Sequence, residues 1–281
     1  MKIHIQCCCL LVLLPVSLQA IADNRVSIRE EGGYRYIESN GLPDHSTGQF
    51  PNSGNPNSIS AQNHQFRVTL NPQKSGNATP VQLAGVAVNG VPMEPGTAEF
   101  WNQDRSSGWR IQAQGPGVNL GLDQNHAHVQ PGGMYHYHGV PTGVINNASS
   151  SLIGWAADGF EIHYAGNQSK SSWRLKSGTR PSGPGGKYDG TYENDFEYVA
   201  GSGNLDQCNG GDLNGKYVYF ITDDYPYIQR CVFGIPDSSF AKRGPGPGAP
   251  GGPDSGRPPE GREGMPPPPE HGHQHPPPPR R

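Results

Sequence analysis

Long apolar stretches are scarce in this chain of 281 residues, whose mean hydropathy is −0.68. The exception is an apolar run over residues 7–18, which is shorter than the roughly 20 residues of a membrane span. Lys2 precedes the run, and Ala20-Ile21-Ala22 follows it with the small-x-small pattern of a signal-peptide cleavage site. The sequence therefore predicts a signal peptide over residues 1–22. It also predicts a secreted or periplasmic protein, without a transmembrane segment once that peptide is removed; an uncleaved anchor is the alternative.

Cysteine is also rare, with five in the whole chain. Cys7, Cys8 and Cys9 lie inside the apolar run, whereas the cysteine of a lipoprotein follows its run, so a lipid anchor is not favoured. Signal cleavage would leave Cys208 and Cys231, and an even pair in an exported protein predicts one disulfide. Two thiolate metal ligands are the alternative, although no C-x-x-C spacing supports them.

Clustered positive charge is missing. The formal net charge is −3, and no segment has the basic density that a nucleic-acid-binding face requires. We therefore expect no nucleic-acid partner for this protein.

Aromatic residues are absent from residues 241–281, which are rich in proline and glycine. Such a segment cannot bury enough apolar surface to offset its conformational entropy, so a disordered tail is predicted. His271, His273 and His275 near its end form an auxiliary cluster that can capture copper, nickel or zinc weakly. A solubilising tail is the alternative, and the sequence indicates no other partner for it.

An apolar period typical of helices is missing as well, whereas short β-type runs such as residues 66–70 and 152–155 recur between turn signals. This pattern favours a mainly β fold, an antiparallel sandwich or barrel-like single domain with long Gly/Pro-rich loops. We assign this domain to residues 61–240 and expect a loosely ordered lead-in over residues 23–60.

Two His-x-His units are the densest chemical signal in the chain. His126 and His128 are separated from His136 and His138 by a turn that contains Pro131-Gly132-Gly133. Alternate residues of a strand share a face, so each pair of histidines shares one. A two-residue turn would place the two pairs on opposite faces. A three-residue loop would pair His128 with His136 and His126 with His138, and all four imidazoles would then meet.

The three-residue loop has local support. Pro131 suits the first position of a type I turn, and Gly133 suits the left-handed position that closes such a loop. The opposite face of the hairpin would then be apolar and suited to the core, because it would carry Ala127, Val129, Tyr135 and Tyr137.

Imidazoles that face each other across two strands can converge on one ion at about 2.0–2.1 Å per bond. We therefore predict a metal site for copper or zinc at these four histidines. Hydrogen bonds from the histidines to carbonyls and tyrosines are the alternative. Asp158 and His163 are weaker ligand candidates, and Asp158 is also a candidate to orient a ligand or to cap a turn.

The hairpin resembles the YHYH family, whose motif stands here as Tyr135-His136-Tyr137-His138. Further motifs extend the resemblance over most of residues 114–233, among them LIGWAADGFEI, SSWRLKSGTRP and YFITDDYPYIQRC. The resemblance implies an exported protein and implies little about activity. Glu161 and His163 stand where the family pattern has other residues, so the resemblance gives them no shared role.

Three functions from different classes fit these observations. The first is a secreted metal-binding protein that handles copper or zinc, and the histidine hairpin and tail favour it. The second is a metal-dependent enzyme, a hydrolase or oxidase, whose ion activates water or oxygen. The third is a structural or adhesive extracellular module that the metal site only braces. The sequence assigns no catalytic residue.

Overall fold

The computed structural model describes residues 23–241. The predicted signal peptide and the auxiliary histidines His271, His273 and His275 lie outside the described residues. The strands are β1 (Val26–Glu31), β2 (Tyr34–Ser39), β3 (His64–Thr69), β4 (Thr79–Pro80), β5 (Gly85–Ala87), β6 (Pro92–Met93), β7 (Ala127–Val129), β8 (Tyr135–Tyr137), β9 (Leu152–Ala156), β10 (Glu161–Tyr164), β11 (Trp173–Leu175), β12 (Phe196–Tyr198), β13 (Gly210–Leu213), β14 (Lys216–Ile221) and β15 (Cys231–Val232). The helices are α1 (Thr142–Asn147) and the 3₁₀ segments Trp101–Gln103, Arg105–Ser107, Gly166–Gln168, Glu193–Asp195 and Ser238–Phe240.

A sheet of eight strands dominates the fold, in the order β13-β14-β10-β9-β5-β6-β8-β7. Most neighbours are antiparallel, while β6 with β8 and β10 with β14 are parallel. Val86 and Ala87 are successive residues of β5 and belong to different apolar clusters, so the sheet buries both of its faces. The predicted mainly β class is confirmed. No helix within residues 23–241 is long and apolar enough to cross a bilayer.

The predicted lead-in, residues 23–60, contains the hairpin of β1 and β2. Gly32 and Gly33 connect the strands, and both have positive φ, at 59° and 82°. A two-residue turn of this kind matches the twist of a β-hairpin and is the reason for glycine at both positions. β2 continues into a three-stranded sheet with β3, where Ile37 packs in the same apolar cluster as Trp155 of the large sheet. The Gly-Gly pair between two β-type runs is the signal that could have predicted this hairpin.

The predicted disulfide between Cys208 and Cys231 is confirmed, with Cα atoms 5.1 Å apart. It joins the segment before β13 to β15, 23 residues further along the chain. A covalent link of this kind restricts the unfolded chain and is typical of proteins in oxidising compartments.

We expect the Cys208→Ala/Cys231→Ala variant to lose about 3 kcal/mol of unfolding free energy, the loop-closure contribution for a loop of this length. Urea denaturation of both proteins, with and without reductant, measures it. Reductant should destabilise the wild type and leave the variant unchanged. Equal stability of the two oxidised proteins would contradict the prediction.

Candidate metal centre

The hairpin of β7 and β8 has the predicted register. Ala127 pairs with Tyr137, His128 with His136 and Val129 with Tyr135, so three residues form the loop between Gln130 and Met134. The predicted type I turn is wrong in detail. The N–H of Gly133 donates to the carbonyl of Gln130 at 2.9 Å, and Gly132 has φ of 95°, which places glycine at the third position of a type II turn.

One face of the hairpin belongs to the core, as predicted. Ala127, Val129, Tyr135 and Tyr137 are all fully buried. The hydroxyl of Tyr135 donates to Asp123 Oδ2 at 2.7 Å, and the hydroxyl of Tyr137 lies 2.6 Å from Nε2 of His45. Burial raises the pKa of both tyrosines, so both stay neutral. The two tyrosines therefore anchor the strand in the core and leave the alternate residues to the other face.

Three histidines converge on that other face. Nε2 of His138 lies 3.0 Å from Nε2 of His128 and 3.0 Å from Nε2 of His136. Both residues of the pair His136 and His138 are 2% exposed, and His128 is partly buried. Nitrogens bound to one tetrahedral ion at 2.0–2.1 Å stand about 3.3 Å apart. The observed spacing is close to that value, so the three Nε2 atoms suit a single ion.

Backbone carbonyls orient two of these imidazoles. Nδ1 of His128 donates to the carbonyl of Leu120 at 2.8 Å, and Nδ1 of His136 donates to the carbonyl of Met134 at 3.2 Å. A neutral imidazole that carries its hydrogen on Nδ1 has a free lone pair on Nε2. The carbonyls thus hold both rings in the tautomer that binds a metal through Nε2, which is the usual arrangement around metal-ligating histidines.

A single ion would account for the close contacts among the three Nε2 atoms. Since His128 and His136 present lone pairs there, only His138 has a hydrogen to offer, and one hydrogen cannot point straight at two acceptors. If the three rings were held by hydrogen bonds alone, one of the two 3.0 Å contacts would have no hydrogen between its nitrogens. A metal ion between the rings would satisfy all three lone pairs.

The family comparison agrees with the motif at this site. The family model described as "YHYH protein" matches residues 65–234, which is more than half of the chain. The chain belongs to the YHYH family. Searches of curated proteins and of solved structures find no significant match. The match includes both strands of the histidine hairpin, so the three-histidine cluster lies within the YHYH domain.

His126 lies outside the cluster, contrary to the prediction of four converging imidazoles. Its φ is 51°, because the chain turns just before β7 begins, and this rotates the side chain off the face that His128 occupies. Nδ1 of His126 instead contacts the carbonyl of Val140 at 2.9 Å. The backbone of His126 still pairs across the hairpin, since its carbonyl accepts from the N–H of His138 at 2.8 Å.

Asp158 also lies outside the cluster and acts as a brace. It is 1% exposed, and its Oδ2 accepts hydrogen bonds from the Tyr219 hydroxyl and the Gly234 N–H, each at 2.8 Å. Burial raises the pKa of this carboxyl, and those hydrogen bonds oppose the shift. The candidate role of Asp158 as a ligand therefore has no geometric support, and its contacts tie the turn between β9 and β10 to the segment after β15.

His163 is engaged elsewhere. Its Nδ1 lies 2.9 Å from the hydroxyl of Ser151, and its Nε2 lies 3.0 Å from Oε2 of Glu161. Both ring nitrogens are thus occupied at the junction of β9 and β10, so the structure does not bring His163 to the three-histidine cluster.

Two charged residues that the sequence did not indicate lie next to the cluster. Glu94 follows β6, where Met93 pairs with Tyr137, so strand alternation places the Glu94 side chain on the histidine face. It is buried, at 8% exposure. Arg230 is close enough for its charge to lower the pKa of His138. Neither residue has a sequence signal, because β6 has two residues and Arg230 lies in a loop.

Burial lowers the pKa of His138 well below its usual 6.5, and the positive charge of the neighbouring imidazoles and of Arg230 adds to the shift. Burial also lowers the pKa of His128. Between these depressed pKa values and 6.5, the unfolded chain binds more protons than the folded chain does. The contribution of these two histidines to the stability of the metal-free protein is therefore fully present above about pH 6.5, and it is lost as the pH falls below that value.

We expect the unfolding free energy of metal-free protein, measured in urea, to fall between about pH 7 and about pH 5. The His128→Gln/His138→Gln variant should lose part of this pH dependence. The remaining pH dependence should come from His64, because burial also lowers the pKa of that residue. An identical pH dependence in both proteins would show that the cluster does not titrate in this way.

Proposed function

We propose that this protein binds one transition-metal ion, copper or zinc, through Nε2 of His128, His136 and His138. The observation that supports it is the convergence of three Nε2 atoms, two of them with the Nδ1 hydrogen bonded to a carbonyl. Imidazole nitrogen suits copper and zinc, and the ring orientation is the one that these ions require. The ion is the proposed partner of the domain.

A metal-dependent enzyme is the second candidate, and the number of ligands favours it over a structural module. Structural zinc sites are closed by four protein ligands, whereas catalytic sites combine three protein ligands with an open position. His126, the predicted fourth ligand, lies outside the cluster. A purely structural or adhesive role, with a closed site that braces the fold, has less support from this geometry.

We also propose that the protein is secreted or periplasmic. The disulfide Cys208–Cys231 supports an oxidising compartment, and the apolar run before Ala22 supports export through a signal peptide. The tail histidines His271, His273 and His275 remain a proposed auxiliary site.

Metal content, measured by mass spectrometry, tests the proposed function. The protein is the full chain without an affinity tag, with His271, His273 and His275 replaced by alanine so that the tail cannot contribute. We expect about one copper or zinc ion per chain, and almost none in the His128→Ala/His136→Ala variant. Absence of bound metal from the parent protein, even after incubation with both ions, would overturn the proposal.

A further inference from the structure

A cleft of about 300 Å³ lies next to Glu94 and Arg230, the two charged residues near the histidine cluster. Pro95 and Arg230 line it, and the positive charge of Arg230 also acts on His138. Glu94, which lies on the histidine face of the sheet, lines it as well. The cleft therefore lies on the side of the histidine cluster that Arg230 occupies.

Arginine dominates the charge of this cleft. Arg105, Arg110 and Arg230 line it together with Glu94 and Glu193. Glu193 is shared, since its Oε1 lies 2.5 Å from Arg230 Nη1 and its Oε2 lies 3.9 Å from Arg110 Nη1. Among the ion pairs of residues 23–241, none includes Arg105. Three guanidinium groups face two carboxyl groups, so the lining has excess positive charge.

Two buried donors, one on Arg230 and one on the Gln112 amide that Arg230 contacts, have no acceptor among the described residues. Nε of Arg230 is one of them, and Nε2 of Gln112 is the other. Gln112 is 2% exposed, and its Oε1 accepts from the N–H of Ala113 at 2.6 Å and from Arg230 Nη2 at 3.2 Å. These two bonds fix the orientation of the amide, so the unused atom is a donor. A buried donor without an acceptor is unfavourable, and an oxygen of a bound ligand would satisfy it.

We propose that this arginine cleft binds a small oxyanion, phosphate or carboxylate, through Gln112, Arg110 and Arg230, with Arg105 at its side. Guanidinium groups form their strongest hydrogen bonds with such oxygens, often two at a time. The placement of that anion beside a metal ion rests on the proposed function. The hydrogen-bond donors of the cleft are present whether or not a metal is bound.

Isothermal titration calorimetry with inorganic phosphate and with acetate tests the cleft, on metal-loaded and on metal-free full-length protein. Chloride at matched ionic strength is the control anion, because it has no oxygen. Gln112→Glu is the most informative variant, because it changes only the unused donor of the amide. It keeps an oxygen for Arg230 and replaces the unused N–H by a carboxylate oxygen that repels an anion. The matched control is Arg29→Gln, on the exposed strand β1.

We expect phosphate or acetate to bind, and Gln112→Glu and Arg110→Gln to weaken that binding at least about tenfold each. Arg29→Gln should leave it unchanged. The idea fails if neither oxyanion binds, or if both bind the Gln112→Glu and Arg110→Gln variants as tightly as the wild type. Metal content is measured on the same samples. If the protein holds no metal, the proposed function fails, while the titration of metal-free protein still decides whether the cleft binds an anion.

Discussion

Replacing His138 by alanine should abolish metal binding, whereas replacing His126 should leave it intact. His138 is the central member of the cluster, since its Nε2 is 3.0 Å from the Nε2 atoms of both His128 and His136. His126 is the residue that sequence reasoning placed in the same set, but its imidazole contacts the carbonyl of Val140. The two single variants therefore separate a three-histidine site from a four-histidine site.

The loss in the His138→Ala variant should exceed the roughly 10–100-fold reduction in affinity that changes to outer-shell partners of a metal cause. Two histidines that remain on strands cannot enclose an ion, and the lost ligand leaves a buried gap. Metal affinity is best measured by competition with a chromophoric chelator, with copper and zinc titrated separately. Both proteins carry the tail substitutions described above, so that only the domain contributes.

Circular dichroism of both variants provides the control for folding, because His138 is buried and its removal also affects packing. The His138→Gln variant keeps more of the volume and should lose metal as well, which separates the loss of a ligand from the loss of packing. If His126→Ala also loses its metal while folded, the fourth imidazole moves into the site on binding, and the three-ligand description is wrong.

The histidine hairpin could be predicted because its determinants are local. A Pro-Gly-Gly loop fixes the register, and the alternation of Tyr135 and Tyr137 with the histidines fixes which face is buried. His126 could not be placed, since the positive φ that rotates it depends on the turn before β7. Asp123 holds that turn by accepting from the N–H groups of Asn125 and Ala127. Side-chain bonds of this kind are not visible as periodicity.

The arginine cleft could not be predicted from the sequence for a different reason. Gln112, Glu193 and Arg230 are far apart in the chain, and Arg230 contacts both of the others. Each of these residues alone is a common polar residue of a loop. Their joint role in a cleft depends on tertiary contacts, which the sequence does not reveal. The histidine hairpin, in contrast, has a local sequence signature.

Asp195→Ala should lower the free energy of unfolding by about 3–5 kcal/mol. Asp195 is fully buried, and its carboxylate accepts from Arg180 Nε at 2.8 Å and Nη2 at 2.6 Å. It also accepts from the backbone N–H groups of Gly190 and Tyr192. Removal of this carboxylate leaves the guanidinium of Arg180, which is only 6% exposed, without its buried partner.

Asp189→Ala is the matched control, because Asp189 pairs with the same guanidinium from a position that is 52% exposed. An exposed pair contributes at most about 1 kcal/mol, so this variant should lose far less in urea denaturation. If both variants lost a similar amount of unfolding free energy, burial would not explain how much the Arg180–Asp195 pair stabilises the protein.

The Asp195→Ala substitution also affects the proposed anion site, through the 3₁₀ segment Glu193–Asp195. Asp195 ends the 3₁₀ segment that begins with Glu193, and Glu193 in turn holds Arg230 at 2.5 Å in the cleft. The histidine hairpin shares none of these contacts. Folded Asp195→Ala protein should therefore keep its metal and bind phosphate more weakly. If its metal content falls together with its phosphate affinity, the metal centre also depends on the Asp195 segment, and this expectation is wrong.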